Sequence, residues 1–138
     1  MKKLLIVLVV ALVSAGCGGN SSTSTDKPVT AVVKVTEANA GQSVELDAGG
    51  TLEITLKSNA TTGYHWEVMS VDSGILKQEG PPVYVSDPNP EQLVGSGGKT
   101  TFVFKALTQG QTDLKLNYTS PANVQSETSF SIIVKVGQ

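Results

Sequence analysis

From residue 29 to the C-terminus, apolar and polar side chains alternate with a period of two, and nowhere do they recur at helical spacing. The clearest run is Thr51-Leu52-Glu53-Ile54-Thr55-Leu56-Lys57. An extended chain puts Leu52, Ile54 and Leu56 on one face and Thr51, Glu53, Thr55 and Lys57 on the other, the pattern of a half-buried strand in antiparallel sheet. Similar runs lie at 29–35, 43–46, 64–71, 75–78, 83–85, 100–106, 112–118 and 129–136, separated by turn signals such as Ala48-Gly49-Gly50 and Gln109-Gly110-Gln111. In the run that opens at Tyr64, alternation places Tyr64, Trp66 and Val68 inward and His65 toward solvent. Together these runs predict an all-β fold: an immunoglobulin-like antiparallel β-sandwich of seven to eight strands, with its binding loops clustered at one end. Residues 86–98, which carry Pro88 and Pro90, read as a long loop of the kind that in compact domains is commonly functional.

The 138 residues leave room for one such domain, because the N-terminal part has a different character. Lys2 and Lys3 precede an apolar run from Leu4 to Val13 and the small residues Ser14, Ala15 and Gly16. A membrane-spanning helix needs roughly 20 apolar residues, so residues 1–16 read as a secretory signal peptide. The segment Val13-Ser14-Ala15-Gly16-Cys17 resembles a bacterial lipobox, with Ser14 where leucine is commonest. That resemblance implies an exported lipoprotein of the cell envelope whose mature N-terminus is an acylated Cys17, anchored in the membrane by lipid. A free thiol or an intermolecular disulfide is the alternative use of Cys17. Residues 17–28 have the Gly, Asn, Ser and Thr composition of a flexible tether. Gly18, where an aspartate is absent, implies the outer membrane if the cell is Gram-negative. The domain itself is expected over residues 29–138.

Composition excludes several functions. Net charge is −2 and the isoelectric point is near 5.3, with no cluster of Lys or Arg, which argues against nucleic acid as a partner. Cys17 is the only cysteine, so no disulfide can form within the domain and the fold rests on its apolar core. The single histidine, His65, lacks the partners of a catalytic triad or a His-rich metal site. Asp87, Glu91 and Asp113 are scattered rather than set at ligand spacing. Gly95-Ser96-Gly97-Gly98 is followed by no Gly-Lys-Ser/Thr and opens no helix, so it is not a phosphate loop. The expectation is a non-enzyme that uses no metal and no cofactor.

Loops are left as the carriers of function. Asn59-Ala60-Thr61-Thr62-Gly63-Tyr64 combines two β-branched residues of few rotamers with a glycine able to turn the chain back into a strand. Gly95-Ser96-Gly97-Gly98 leads into Phe102 and Phe104, and Tyr118-Thr119-Ser120-Pro121-Ala122 precedes the last strand. In this order the three segments resemble the binding loops of the chagasin family of cysteine peptidase inhibitors. That family's pattern is an Asn-Pro-Thr-Thr-Gly-Tyr loop, a Gly-x-Gly-Gly loop and an Arg-Pro-Trp-like loop. The chain departs from it at Ala60, where the family has proline, and at Ser120 and Ala122, which flank Pro121 in place of the arginine and the aromatic residue. The resemblance covers the domain from residue 29 onward.

The resemblance implies a reversible, non-covalent inhibitor of papain-like cysteine peptidases. The loop of Thr61 and Thr62 would enter the active-site cleft, with the glycine and proline loops clasping it on either side. Ala60 implies a somewhat looser first loop. The altered third loop implies weaker or more selective inhibition, which Ser120→Arg with Ala122→Trp is expected to strengthen, since Arg and Trp are frequent interface anchors. The reading that competes with it is a lipid-anchored envelope module that binds a protein or glycan through the same loops without inhibiting anything.

Overall fold

The computed structural model describes residues 31–89, 91, 95–122 and 128–138. The expected signal peptide, Cys17 and the expected tether lie outside these residues. Nine strands follow in chain order: β1 Val32–Thr36, β2 Ser43–Asp47, β3 Thr51–Ser58, β4 His65–Ser70, β5 Leu76–Gln78, β6 Val83–Ser86, β7 Gly98–Ala106, β8 Gly110–Thr119 and β9 Ser129–Gly137. One sheet has the order β1-β3-β7, with β5 and β6 both on the far side of β7, and the other has the order β2-β9-β8-β4. The count exceeds the expected seven to eight because β5 and β6 are two short strands that share one edge of β7.

Period-two alternation places the core. On β3, Leu52, Ile54 and Leu56 are fully buried, and each contributes ~1.5–3 kcal/mol by leaving water. Phe102, Phe104 and Ala106 of β7 lie beside them, and Leu114 and Leu116 of β8 with Phe130, Ile132, Val134 and Val136 of β9 complete the cluster from the other sheet. Thr51, Glu53 and Thr55 alternate with the buried leucines and isoleucine at half-buried positions.

The expectation of an antiparallel sandwich is corrected at two pairings. β1 runs parallel to β3 and β2 parallel to β9, while the other pairings are antiparallel. The cause is that the chain changes sheet twice in quick succession. A 3₁₀ turn at Glu37–Asn39 carries it from β1 across to β2, and the turn at Ala48-Gly49-Gly50 brings it back to β3. Two reversals restore the original direction, so β1 and β3 are parallel neighbours. Gly49 has φ 81°, and a Cβ on Gly50 would lie 2.8 Å from the Asp47 carbonyl oxygen, so this reversal depends on both glycines.

Three boundaries also differ from expectation. Ser86 belongs to β6 and Gly98 to β7, which shortens the expected loop, while residues 90 and 92–94 lie outside the described ones. Tyr64 precedes β4 rather than opening it and is 36% exposed, not inward. The reason is Gly63, whose φ of 76° ends a 3₁₀ turn at Ala60–Thr62 and delays the strand to His65. Trp66 does face inward, at 7% exposure, and Val68 is half-buried.

Candidate functional site

Strand register brings three connections to one end of the sandwich. Ser58, the last residue of β3, pairs with Gly98, the first of β7, and His65, the first of β4, pairs with Thr119, the last of β8. The connection 59–64 therefore leaves one sheet beside 95–97 and enters the other beside 120–122.

Asn59 organises the first connection. It caps the 3₁₀ turn, its side-chain oxygen accepting from the Thr61 amide at 3.2 Å and from the Thr61 hydroxyl at 2.6 Å. The Thr62 hydroxyl donates to the Asn59 carbonyl at 2.7 Å. Both threonine hydroxyls are thus engaged inside the loop, which leaves methyl groups and backbone as the surface that Thr61 and Thr62 offer outward. Residues 60–64 are all exposed.

Asn59 also joins this loop to its neighbours. Its Nδ2 donates to the Gly95 carbonyl at 3.3 Å, and its backbone amide donates to the Tyr118 hydroxyl at 2.8 Å. Tyr118 is fixed in turn by aromatic contacts, with ring centroids 5.3 Å from Tyr64 and 5.1 Å from Trp66. The Trp66 indole donates to the Lys57 carbonyl at 2.9 Å, just before the loop begins. Gly63 meets the third connection directly: a Cβ there would lie 2.7 Å from Cγ of Pro121.

The glycine segment divides into two parts. Gly95 is exposed with φ 90°, a conformation that L side chains resist, while Ser96 accepts from Asn89 Nδ2 at 2.9 Å. The Gly97 carbonyl accepts from the Asp87 amide at 2.9 Å. Gly98, by contrast, is buried, and a Cβ on it would collide with the Val85 carbonyl oxygen and lie 2.6 Å from the Tyr84 ring. It is a glycine because Tyr84 covers it. In the third connection Tyr118 and Thr119 belong to β8, Ser120 is 6% exposed, and Pro121 and Ala122 are exposed. The expected gain from Ser120→Arg is therefore withdrawn, because a guanidinium there would start from a buried position.

Sequence reasoning missed two supporting side chains. The Tyr118 hydroxyl holds the first loop from a distant strand, and the Tyr84 ring packs over Gly98. Only strand register reveals either contact, since 59 positions separate Asn59 from Tyr118. None of residues 59–64, 95–98 and 120–122 carries a charge. His65 and Glu67 stand just outside, 3.5 Å apart and about half exposed. Among the described residues no group of three His, Cys, Asp or Glu could hold a metal ion.

An uncharged, mutually braced set of loops on a two-sheet frame defines a recognition domain that presents a fixed shape. Comparison with known proteins agrees. The model of the chagasin family peptidase inhibitors I42 matches residues 45–135. Amoebiasin-1 of Entamoeba histolytica is 30% identical over 105 residues, which cover 75% of this chain and 99% of that protein. The crystal structure of a cysteine protease inhibitor from Entamoeba histolytica superposes with a TM-score of 0.70 at 22% identity, covering 80% of this chain and 99% of the other. The solution structure of Amebosin gives a TM-score of 0.63 at 29% identity, with coverage of 78% and 98%. The structure of PbICP-C in complex with falcipain-2 gives 0.51 at 19% identity, with coverage of 78% and 92%. The chain belongs to the chagasin family, a family of peptidase inhibitors rather than enzymes.

Proposed function

We propose that the protein is a reversible, non-covalent inhibitor of papain-like cysteine peptidases, built on an immunoglobulin-like frame and blocking the active-site cleft with three loops. The observation that carries this reading is Asn59, whose amide and side chain tie the first loop to Gly95 and Tyr118. A loop already held in its bound shape avoids ordering costs of ~0.5–1.5 kcal/mol per flexible side chain. Residues 60–63 enter the cleft, and Gly95 and Pro121 with Ala122 lie against its two walls. Buried Gly98 and Ser120 support the loops from behind. No charge enters the cleft, so shape and backbone hydrogen bonds provide the fit rather than ion pairing. We further propose that lipid on Cys17 anchors the protein in the bacterial cell envelope and that residues 18–28 hold the domain off the membrane.

Titrating the purified protein against papain and a cathepsin-like peptidase tests the reading. Inhibition relieved by dilution is expected, and no inhibition at micromolar protein would leave only a binding module. Thr61→Asp places a carboxylate where the cleft is dry and removes the Asn59 contact, so inhibition is expected to fall by more than about a hundredfold, the scale of an unpaired interfacial charge. The thermal midpoint is expected to stay within a few degrees of the parent. Retained inhibition would mean that another loop dominates.

A further inference from the structure

Among the described residues, the open edges of the two sheets differ in one respect. β1 carries Lys34, β2 carries Glu45 and Asp47, β5 carries Lys77, and β4 carries His65 and Glu67 with a register shift between Val68 and Ser70. Charges and bulges, along with short length and proline, are among the devices by which sheet edges avoid pairing with other chains. β6 has neither charge nor bulge: its sequence is Val83-Tyr84-Val85-Ser86, all four residues are exposed, and Val83 and Val85 reach 58% and 62%. Pro81 and Pro82 before it and Asp87 and Pro88 after it confine the uncharged stretch to this strand.

The register fixes which groups are free. β6 pairs antiparallel with β7, from Val83 opposite Thr101 to Ser86 opposite Gly98, and the Asp87 amide donates to Gly97 just beyond. Hydrogen-bonded pairs alternate along such a ladder, so Val83 and Val85 turn their backbone groups to β7 while Tyr84 and Ser86 turn theirs to the open edge. Tyr84 lies over Gly98, and Val83 and Val85 project from the opposite, outer face. The end of the strand lies beside the glycine segment, with Ser86 opposite Gly98 and the Asp87 amide on Gly97, so its edge reaches the same end of the sandwich as the loops.

We propose that β6 is a second docking element for the same peptidase: its open edge takes an extended, uncharged segment from the rim of the cleft as an added strand, with Val83 and Val85 covering apolar side chains of that segment. This rests on the reading that the loops enter a peptidase cleft. A second copy of the chain is a poorer occupant, because an edge of four residues, ~14 Å long, is too short to bury by itself the ~800 Å² per partner of a stable dimer. As an extension of an interface the loops have already formed, the pairing is intramolecular, and a short strand suffices.

Two substitutions test it in the full-length protein. Ser86→Pro removes an outward amide while leaving the bonds to β7, a placement that sheet edges tolerate. Val85→Glu puts a charge beside the edge on the outer face, opposite Lys99 so that the fold is not strained by like charges. Each is expected to weaken inhibition of papain-like peptidases by about tenfold through faster dissociation, with an unchanged thermal midpoint. Amide exchange at Tyr84 and Ser86 in the parent protein is expected to slow when peptidase is added. Unchanged inhibition by both folded variants, or unprotected amides in the complex, would overturn the proposal. So would a parent dimer that the variants lose while inhibiting equally. A parent protein that fails to inhibit at all would instead overturn the reading of the loops.

Discussion

The first and third connections lie side by side at one end of the sandwich, and among the described residues they differ in the contacts that join them. The first is bound from within and from both sides: Asn59 engages Thr61, Thr62, Gly95 and Tyr118. The third reaches the first through the ring of Pro121, which rests on Gly63. In the first, hydrogen bonding sets the loop before any partner arrives. The third, where the family pattern has Arg and Trp, keeps only the proline that braces its neighbour. Affinity is therefore expected to depend on the order of the first loop more than on anchors in the third.

Asn59→Ala is the strongest way to break that contrast. It removes the acceptor of two Thr61 bonds and the donor to Gly95. At ~0.5–1.5 kcal/mol per bond, with part recovered by water, the loss is ~2 kcal/mol, or about thirtyfold in the inhibition constant. Asn59→Asp keeps the acceptor and is expected to fall between alanine and the parent. A change below about threefold for alanine would show that Thr61 and Thr62 need no such brace.

Gly63→Ala tests the joint between the two connections. Alanine at φ 76° costs ~1–2 kcal/mol, and its Cβ would collide with Pro121 at 2.7 Å. Inhibition is expected to weaken about tenfold. Adding Pro121→Ala removes the collision and is expected to restore part of the loss, a coupling that a double-mutant cycle reads directly. Additive effects would mean that the two loops act independently.

Ala122→Trp strengthens the weaker side. Ala122 is exposed beside Pro121, so a large ring can be added there without displacing the core. An aromatic anchor reaching the cleft wall is expected to tighten binding about fivefold, below the value of a central hot spot because the position is at the edge. No change in the dissociation rate would place Ala122 outside the interface.

The frame was legible from Leu52, Ile54 and Leu56, because period-two burial is a local property of the strand that carries it. The order of the loops was legible too, since glycine and proline mark turns wherever they stand. What escaped depended on register. Alternation alone put Tyr64 inward, but a left-handed Gly63 leaves it in the connection before β4, outside the strand whose alternation still places Trp66 inward. The parallel pairings were hidden because runs of strands give no sign of when the chain changes sheet. Gly98 is buried under Tyr84, a residue of another strand that no local pattern connects to it.

The smallest effect lies within the first loop. Ala60 is the first residue of the 3₁₀ turn, where an amide has no acceptor within the turn and proline's fixed φ is favourable. Asn59 before it is already extended, with φ −133° and ψ 93°, outside the α region that a following proline disfavours. Ala60→Pro should therefore cost no hydrogen bond and lower the entropy of the unfolded loop by ~0.4–1 kcal/mol. The expected result is two- to fivefold tighter inhibition at about that energy, arising from faster association as well as slower release, with a small rise in thermal midpoint. If the midpoint rises and inhibition does not, Asn59 alone already holds the loop in its bound shape, and the contrast with the third connection becomes sharper. If inhibition weakens, the turn must open when the cleft closes on it, and preorganisation is the wrong account of the first loop.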